Sequence, residues 1–251
     1  FADAFTDAAK PFPQEALGRG SWELEGDALR DLREKITAGK PTLKEVYGSP
    51  LYGIKTGFNP AFVIDTPTRE GLCREDPKSA DLLRPFLEGK DLQRWRAEPR
   101  GLWIIYIPKN RVRIDDYPAI RDWLLPFKDK LQNRATKQEW FELQQAQDLY
   151  VGAFSSQKII YPEFSQGRKF SFDNVGYFTN NKVYLIDSKE KFLLSILNST
   201  VIWYVLGGTP TAQRDGEWRL ELQSQYIELV PIPNVPNADK ADLATMADAA
   251  Q

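Results

Sequence analysis

A chain of 251 residues with 42% hydrophobic, 12% aromatic and 27% charged residues is long enough to bury a substantial core and far from a disordered composition. It has no histidine and one cysteine, which excludes Ser-His-Asp and Cys-His nucleophilic systems, histidine general bases, histidine zinc sites and any intrachain disulfide. Its net charge of −2 excludes a generally basic nucleic-acid coat, and no stretch approaches the roughly 20 apolar residues needed to cross a bilayer.

Residues 1–20 mix Ala, Asp, Pro and Gly without a period and read as a lead-in or linker. A domain is expected from Ser21 or Trp22 to Pro236, with residues 237–251 starting a C-terminal helix or tail. Leu29, Leu32 and Ile36 recur at helical steps after Asp27, the expected N-cap, and Gly39 marks the stop, so this helix is expected to dock by one apolar face. Tyr47 to Asp65 reads as strand, turn, strand. Leu102 to Ile107 is apolar on both faces, as in a central strand.

After the turn PKNRVRIDDY a helix is expected near Asp116, with that carboxylate as N-cap and Pro118 in the first turn. Ile120, Trp123, Leu124, Phe127 and Leu131 form its face, and Pro126 should kink or split it. Short aromatic and β-branched runs from Lys158 to Ile186 have the form of an antiparallel meander. A helix follows over Lys189 to Leu206, closed by Gly207 and Gly208. QYIELVPIP is expected to be extended. The fold class is therefore α+β, with mixed or antiparallel sheets and flanking helices.

Catalytic motifs are absent. No GxxxxGK[ST] or GxGxxG loop occurs. Asn59-Pro60-Ala61-Phe62 approaches the four-residue element with which adenine methyltransferases hold a flipped base, but it lacks the second proline and a preceding glycine-rich cofactor loop, and it reads better as a turn into a strand. Asp115 with Asp116 is better explained by helix capping than by acid-base or metal chemistry. Asp187, Glu190 and Lys191 are better explained by a helix start than by a nuclease metal site. Cys73 reads as a buried small hydrophobe in preference to a reactive thiol. Charge is uneven: Lys90 to Lys137 holds twelve Lys or Arg against six Asp or Glu, a run that a solvated surface also produces.

Several segments, in order, carry a resemblance. They are Gly53-Ile-Lys-Thr-Gly57 followed by Phe62-Val-Ile-Asp65; Leu83-Arg-Pro-Phe-Leu-Glu-Gly-Lys-Asp91; Leu102 to Ile107; Arg134 with Trp140; Lys158-Ile-Ile-Tyr-Pro162; Ile196-Leu-Asn-Ser199; and Tyr226-Ile-Glu-Leu-Val-Pro-Ile-Pro233. From about Trp22 to Pro233 the chain resembles the TaqI-like C-terminal specificity domain, a target-recognition module of adenine-N6 DNA methyltransferases and fused restriction-modification enzymes.

The resemblance implies a module that reads double-stranded DNA through loops in the major groove and leaves catalysis to an upstream methyltransferase domain or subunit. That partner would bind S-adenosylmethionine; no cofactor is expected in this fragment. A cytoplasmic, prokaryotic setting and no membrane contact follow. Met246 is the only methionine and the chain opens at Phe1, so it is expected to be excised from something longer or processed.

On that basis Lys109, Arg111 and Arg113, with Arg134 and Lys137, are candidates for phosphate contact. Gln166, Arg168 and Lys169 form a loop able to reach bases, and Arg214 lies in a third turn, TAQRDGE. Each of these cations also has a plain reading as a solvated surface charge. Phe170, Phe172 and Tyr177 read as core ahead of base-stacking groups. The alternatives are a separate specificity subunit of a multi-subunit restriction system and a protein-interaction domain without nucleic acid.

Overall fold

Helix α1 (Asp27–Thr37) and helix α2 (Leu43–Tyr47) come first among the described elements. The computed structural model describes residues 27–208, 212–215 and 217–251, together with residue 14. The rest of the expected lead-in and the domain start at Ser21 or Trp22 lie outside them. Asp27 is the first helical residue of α1, one position later than an N-cap, and Leu29 and Leu32 of the apolar face remain 46% and 45% exposed. The helix is fastened differently. Arg33 donates to the Val205 carbonyl at 3.1 Å and lies over the Tyr204 ring, whose hydroxyl donates back to the Leu29 carbonyl at 3.3 Å. Helix α2 is set by a reciprocal capping box between Thr42 and Glu45, and these hydrogen bonds hold the Glu45 carboxyl below its usual range.

Strand β1 (Leu51–Tyr52) is followed by a single helical turn, α3 (Asn59–Phe62), which runs straight into β2 (Val63–Asp65). The expected strand-turn-strand therefore contains a helical turn, and Phe62 is a fully buried member of it. Both glycines of the Gly53 to Gly57 segment are required. A Cβ on Gly53 would stand 2.1 Å from the Asn180 carbonyl oxygen, where the chain bridges Ile54 to Asn180. Gly57 has φ +81° and packs against the Arg134 side chain.

Helix α4 (Thr66–Glu75) is capped by Asp65, then come β3 (Leu83–Leu87), β4 (Trp95–Arg96) and β5 (Leu102–Ile105). The central position expected of the LWIIYI run is observed: β5 pairs antiparallel with β2 on one side and β3 on the other. Helix α5 (Pro118–Leu124) and helix α6 (Lys128–Gln132) are separated by a 3-10 turn around Pro126, as expected of a proline that removes a donor. Asp116 does not cap α5. It belongs to a 3-10 turn, and Tyr117 occupies the cap position without a side-chain bond, because Pro118 already removes one of the N–H groups needing a partner.

After α7 (Val151–Ser155) come β6 (Lys158–Pro162), β7 (Phe164–Ser165), β8 (Ser171–Asp173), β9 (Phe178–Thr179) and β10 (Val183–Ile186). These five strands are not one meander. Three of them join a five-stranded sheet in the order β1-β10-β6-β8-β4, and β9 pairs parallel with β3 in the sheet β2-β5-β3-β9. Two-residue strands carry too little alternation to fix a partner, so tertiary packing decides.

Helices α8 (Lys191–Leu197) and α9 (Thr200–Gly207) replace the single helix expected over this stretch, since Ser199 stops one and caps the other by accepting from the Ile202 N–H at 3.1 Å. The hairpin β11 (Ala212–Asp215) and β12 (Glu217–Glu221) adds β7 as its third strand. Then α10 (Ser224–Ile227) puts a helical turn into the QYIELVPIP segment, which extends only beyond it. Helix α11 (Asn237–Ala249) lies against α8, where Ser195 donates to the Leu243 carbonyl at 2.7 Å and Ala247 is buried.

Two apolar clusters hold these layers. One surrounds the four-stranded sheet with Phe62, Phe86, Ile104, Ile120, Phe154 and Phe178. The other joins the five-stranded sheet to α8 and α9 through Tyr161, Phe170, Leu193, Leu197 and Leu206. Each fully buried side chain of this size contributes about 1.5–3 kcal/mol relative to exposure.

Candidate nucleic-acid interface

The loops at the ends of these strands form two cation-lined grooves. The first, about 500 Å3, is built where the 3-10 turn Gly89–Asp91 meets the end of β6 and the loop after β7. Its turn is held from behind: the Glu88 N–H donates to Asp91 at 2.7 Å, and Arg100 bonds both carboxylates, with Asp91 buried. Those bonds, the one to Asp91 foremost, raise the affinity of the Arg100 guanidinium for its proton.

Lys90, Lys169, Lys182, Arg219 and Gln166 line this groove. Glu163 is the one carboxylate among the described residues that line it, and pairs with Lys182 at 2.5 Å. Lys90 reaches Glu88 at 3.3 Å while 64% exposed, a geometry that contributes little stability and leaves the charge available. Lys169 has no partner among the described residues. The floor includes Phe164, whose ring lies 5.1 Å from the Arg219 guanidinium and 5.9 Å from the Lys182 ammonium. Four cations converge on one strip of surface in a protein of net negative charge.

A second groove, about 620 Å3, runs between the turn after β5 and the loop after α6, and contains Lys109, Asn110, Lys137 and Gln138. The buried Glu142 sets its shape by accepting from the Asn110 N–H at 2.6 Å and the Glu139 N–H at 2.9 Å. Lys109 donates to the Lys137 carbonyl at 2.8 Å, so the two expected cations do share one site. Arg111 and Arg113 follow on the exposed side of the turn, without partners among the described residues.

Arg134 also lines this second groove, but its donors are committed to the protein. Its guanidinium donates to the carbonyls of Leu131, Thr56, Glu139 and Trp140 at 2.8–3.2 Å and sits over the Phe62 ring. Burial pushes its pKa down, opposed by Glu142. This arginine is a bolt between the Gly57 turn and the loop after α6, with its donors committed to the protein.

Arg134→Met should therefore lower the urea midpoint by an amount equivalent to roughly 2–4 kcal/mol, since bonds from a charged donor contribute about 1.5–3 kcal/mol each and are not additive. Arg134→Lys should recover little, because one ammonium cannot reproduce the planar fork. A variant of unchanged midpoint would refute the structural role.

Arg168 turns away from the first groove. It donates to Thr200 Oγ1 at 2.7 Å and to the Asn198 carbonyl at 3.5 Å, whereas its neighbours Gln166 and Lys169 face the groove. Arg214 lies in strand β11 in register with Trp218, not in a turn. Phe170 and Phe172 are core residues, and Tyr177 packs half-buried against the core. Sequence reasoning missed Lys90, Lys182 and Arg219 as groove residues. They come from three distant segments, and only the strand order assembles them.

The fold is α+β, with cation-lined grooves at the ends of its strands. The chain belongs to the TaqI-like C-terminal specificity domain family, whose model matches residues 84–232. Among solved structures it is similar to the type IIL restriction-modification enzyme MmeI, determined in complex with DNA, with a TM-score of 0.56 and 15% identity over 80% of this chain and 27% of that one. The type IIG restriction endonuclease BpuSI matches with a TM-score of 0.47 and 13% identity, over 87% of this chain and 28% of that one. This chain thus spans about a quarter of each enzyme's length. No curated protein sequence matches it. No helix among the described residues is long and apolar enough to cross a membrane.

Proposed function

We propose that this chain is the sequence-reading domain of a site-specific adenine-N6 DNA methyltransferase or fused restriction-modification enzyme. The observation that carries this reading is the groove of Lys90, Lys169, Lys182 and Arg219 beside Gln166, in a member of a specificity-domain family. Phosphates supply affinity and register through such cations, and an amide such as Gln166 can bond adenine through both N6 and N7. Lys109, Lys137, Arg111 and Arg113 supply a second line of phosphate contacts. Catalysis and S-adenosylmethionine binding belong to a partner domain or subunit of the parent protein.

Binding of labelled duplex DNA, followed by fluorescence anisotropy between 50 and 200 mM salt, tests the proposal. With six or more phosphates contacted, affinity should fall on the order of a thousandfold across that range. Absence of binding at low salt would overturn it.

A further inference from the structure

Behind the loop that carries Gln166, two arginines from distant strand ends meet. Arg94 donates to the Asn198 carbonyl at 3.0 Å, and Arg168 donates to the same carbonyl at 3.5 Å and to Thr200 Oγ1 at 2.7 Å. Neither has a carboxylate partner among the described residues. A single arginine suffices to donate to the Asn198 carbonyl, just past the end of α8. A second adds like-charge repulsion, which a bound anion would relieve. Burial first, and the charge of Arg168 second, make the Arg94 guanidinium harder to protonate than usual.

The backbone next to Arg94 is strained. Trp95 has φ +80°, a conformation that bulky residues rarely adopt, and it is locked by its N–H to the Phe170 carbonyl at 2.9 Å, with the Arg94 guanidinium lying over its ring at 4.8 Å. Asn198 is buried, and its amide donates to the same Phe170 carbonyl at 2.8 Å, so the platform is rigid. Each guanidinium has five N–H donors and spends only one or two on the protein.

We propose that Arg94 and Arg168, neither of which lines the first groove, form a clamp for one backbone phosphodiester of DNA. The inference rests on the DNA reading above and adds a contact that the groove does not contain. Arg168 then contributes register and affinity, and base discrimination is left to Gln166.

The test is the salt dependence of duplex binding by the full chain, measured for the wild type and for Arg94→Gln, Arg168→Gln and the double variant, each checked for folding by circular dichroism. The double variant should lose about 0.9 from the log–log salt slope, one phosphate's share, with equal affinity loss on every duplex sequence. The lysine pair Arg94→Lys with Arg168→Lys, which keeps both charges and loses the forks, should retain the slope and bind more weakly.

A folded double glutamine variant with the wild-type slope would overturn the clamp, as would a changed sequence preference at unchanged slope, or a lysine pair that loses as much slope as the glutamine pair. Absence of wild-type binding would be a different result, overturning the DNA reading itself.

Discussion

Asp173→Ala should destabilise the fold by about 3–5 kcal/mol, the range for a buried ion pair broken on one side, and on a domain of this size lower the melting temperature by roughly 6–20 °C. Asp173 and Lys158 face each other across β8 and β6, both side chains are fully buried, and the ammonium reaches the carboxylate at 2.5 Å. The carboxylate also accepts the N–H groups of Val175, Gly176 and Tyr177 at 2.8–3.0 Å, closing the turn against α7. Lys158 has further acceptors in the Phe154 and Ser156 carbonyls.

Removing the carboxylate leaves a buried ammonium without its counter-charge and three N–H groups without an acceptor. Lys158→Met leaves Asp173 with its three backbone donors and should cost less. Burial already lowers the Lys158 pKa, with Asp173 as the main opposing influence, so the Asp173→Ala variant should lower it further. A lysine with a folded pKa below its unfolded value of about 10.4 binds fewer protons when folded, so between those values stability rises with pH. Urea unfolding of Asp173→Ala at pH 7 and pH 9.5 should show partial recovery at the higher pH. A pH-independent deficit, or a larger loss for Lys158→Met, would contradict the pair's assigned role.

Neutralising the first groove should weaken DNA binding on the order of a hundredfold at 0.1 M salt for Lys90→Gln with Lys169→Gln. Each phosphate contact contributes about 0.9 to the salt slope, which at that concentration amounts to nearly a factor of ten. Lys90 is exposed, and Lys169 has no partner among the described residues, so the fold should survive both changes. The slope should drop by about two. Retained affinity would move the DNA off this groove. Arg134→Met is the complementary control: it should cost stability while leaving the slope intact, because its donors are already taken by four carbonyls.

Local signals in the sequence carried the pieces of the fold that depend on neighbours along the chain. The apolar run at Leu102 implies a central strand, Pro126 implies a break between α5 and α6, and the Ala-rich tail implies α11. Distant pairings were hidden. Nothing in Phe178 or Thr179 marks them for a parallel partner in β3, and nothing near Arg134 marks the Thr56 carbonyl, 78 residues away, as its acceptor.

The same limit governed the site. Lys109 and Lys137 meet as expected, because a turn and a nearby loop bring them together. That Arg168 parts from its loop neighbours Gln166 and Lys169 was not legible, because its acceptors lie on α9 and at the end of α8, thirty residues on. The groove of Lys90, Lys182 and Arg219 exists only once three sheets are assembled. The Ser199 cap that splits α8 from α9 was legible as an Asn-Ser pair inside an apolar run, and the run's periodicity overshadowed it.

The most direct measurement of sequence reading is selection from a pool of randomised duplexes, with sequencing of the fraction bound by the chain. One recurrent motif should be enriched, and Gln166→Ala should relax a single position of it, leaving the salt slope unchanged. Bound duplexes no different in sequence from the starting pool would contradict a domain that reads DNA.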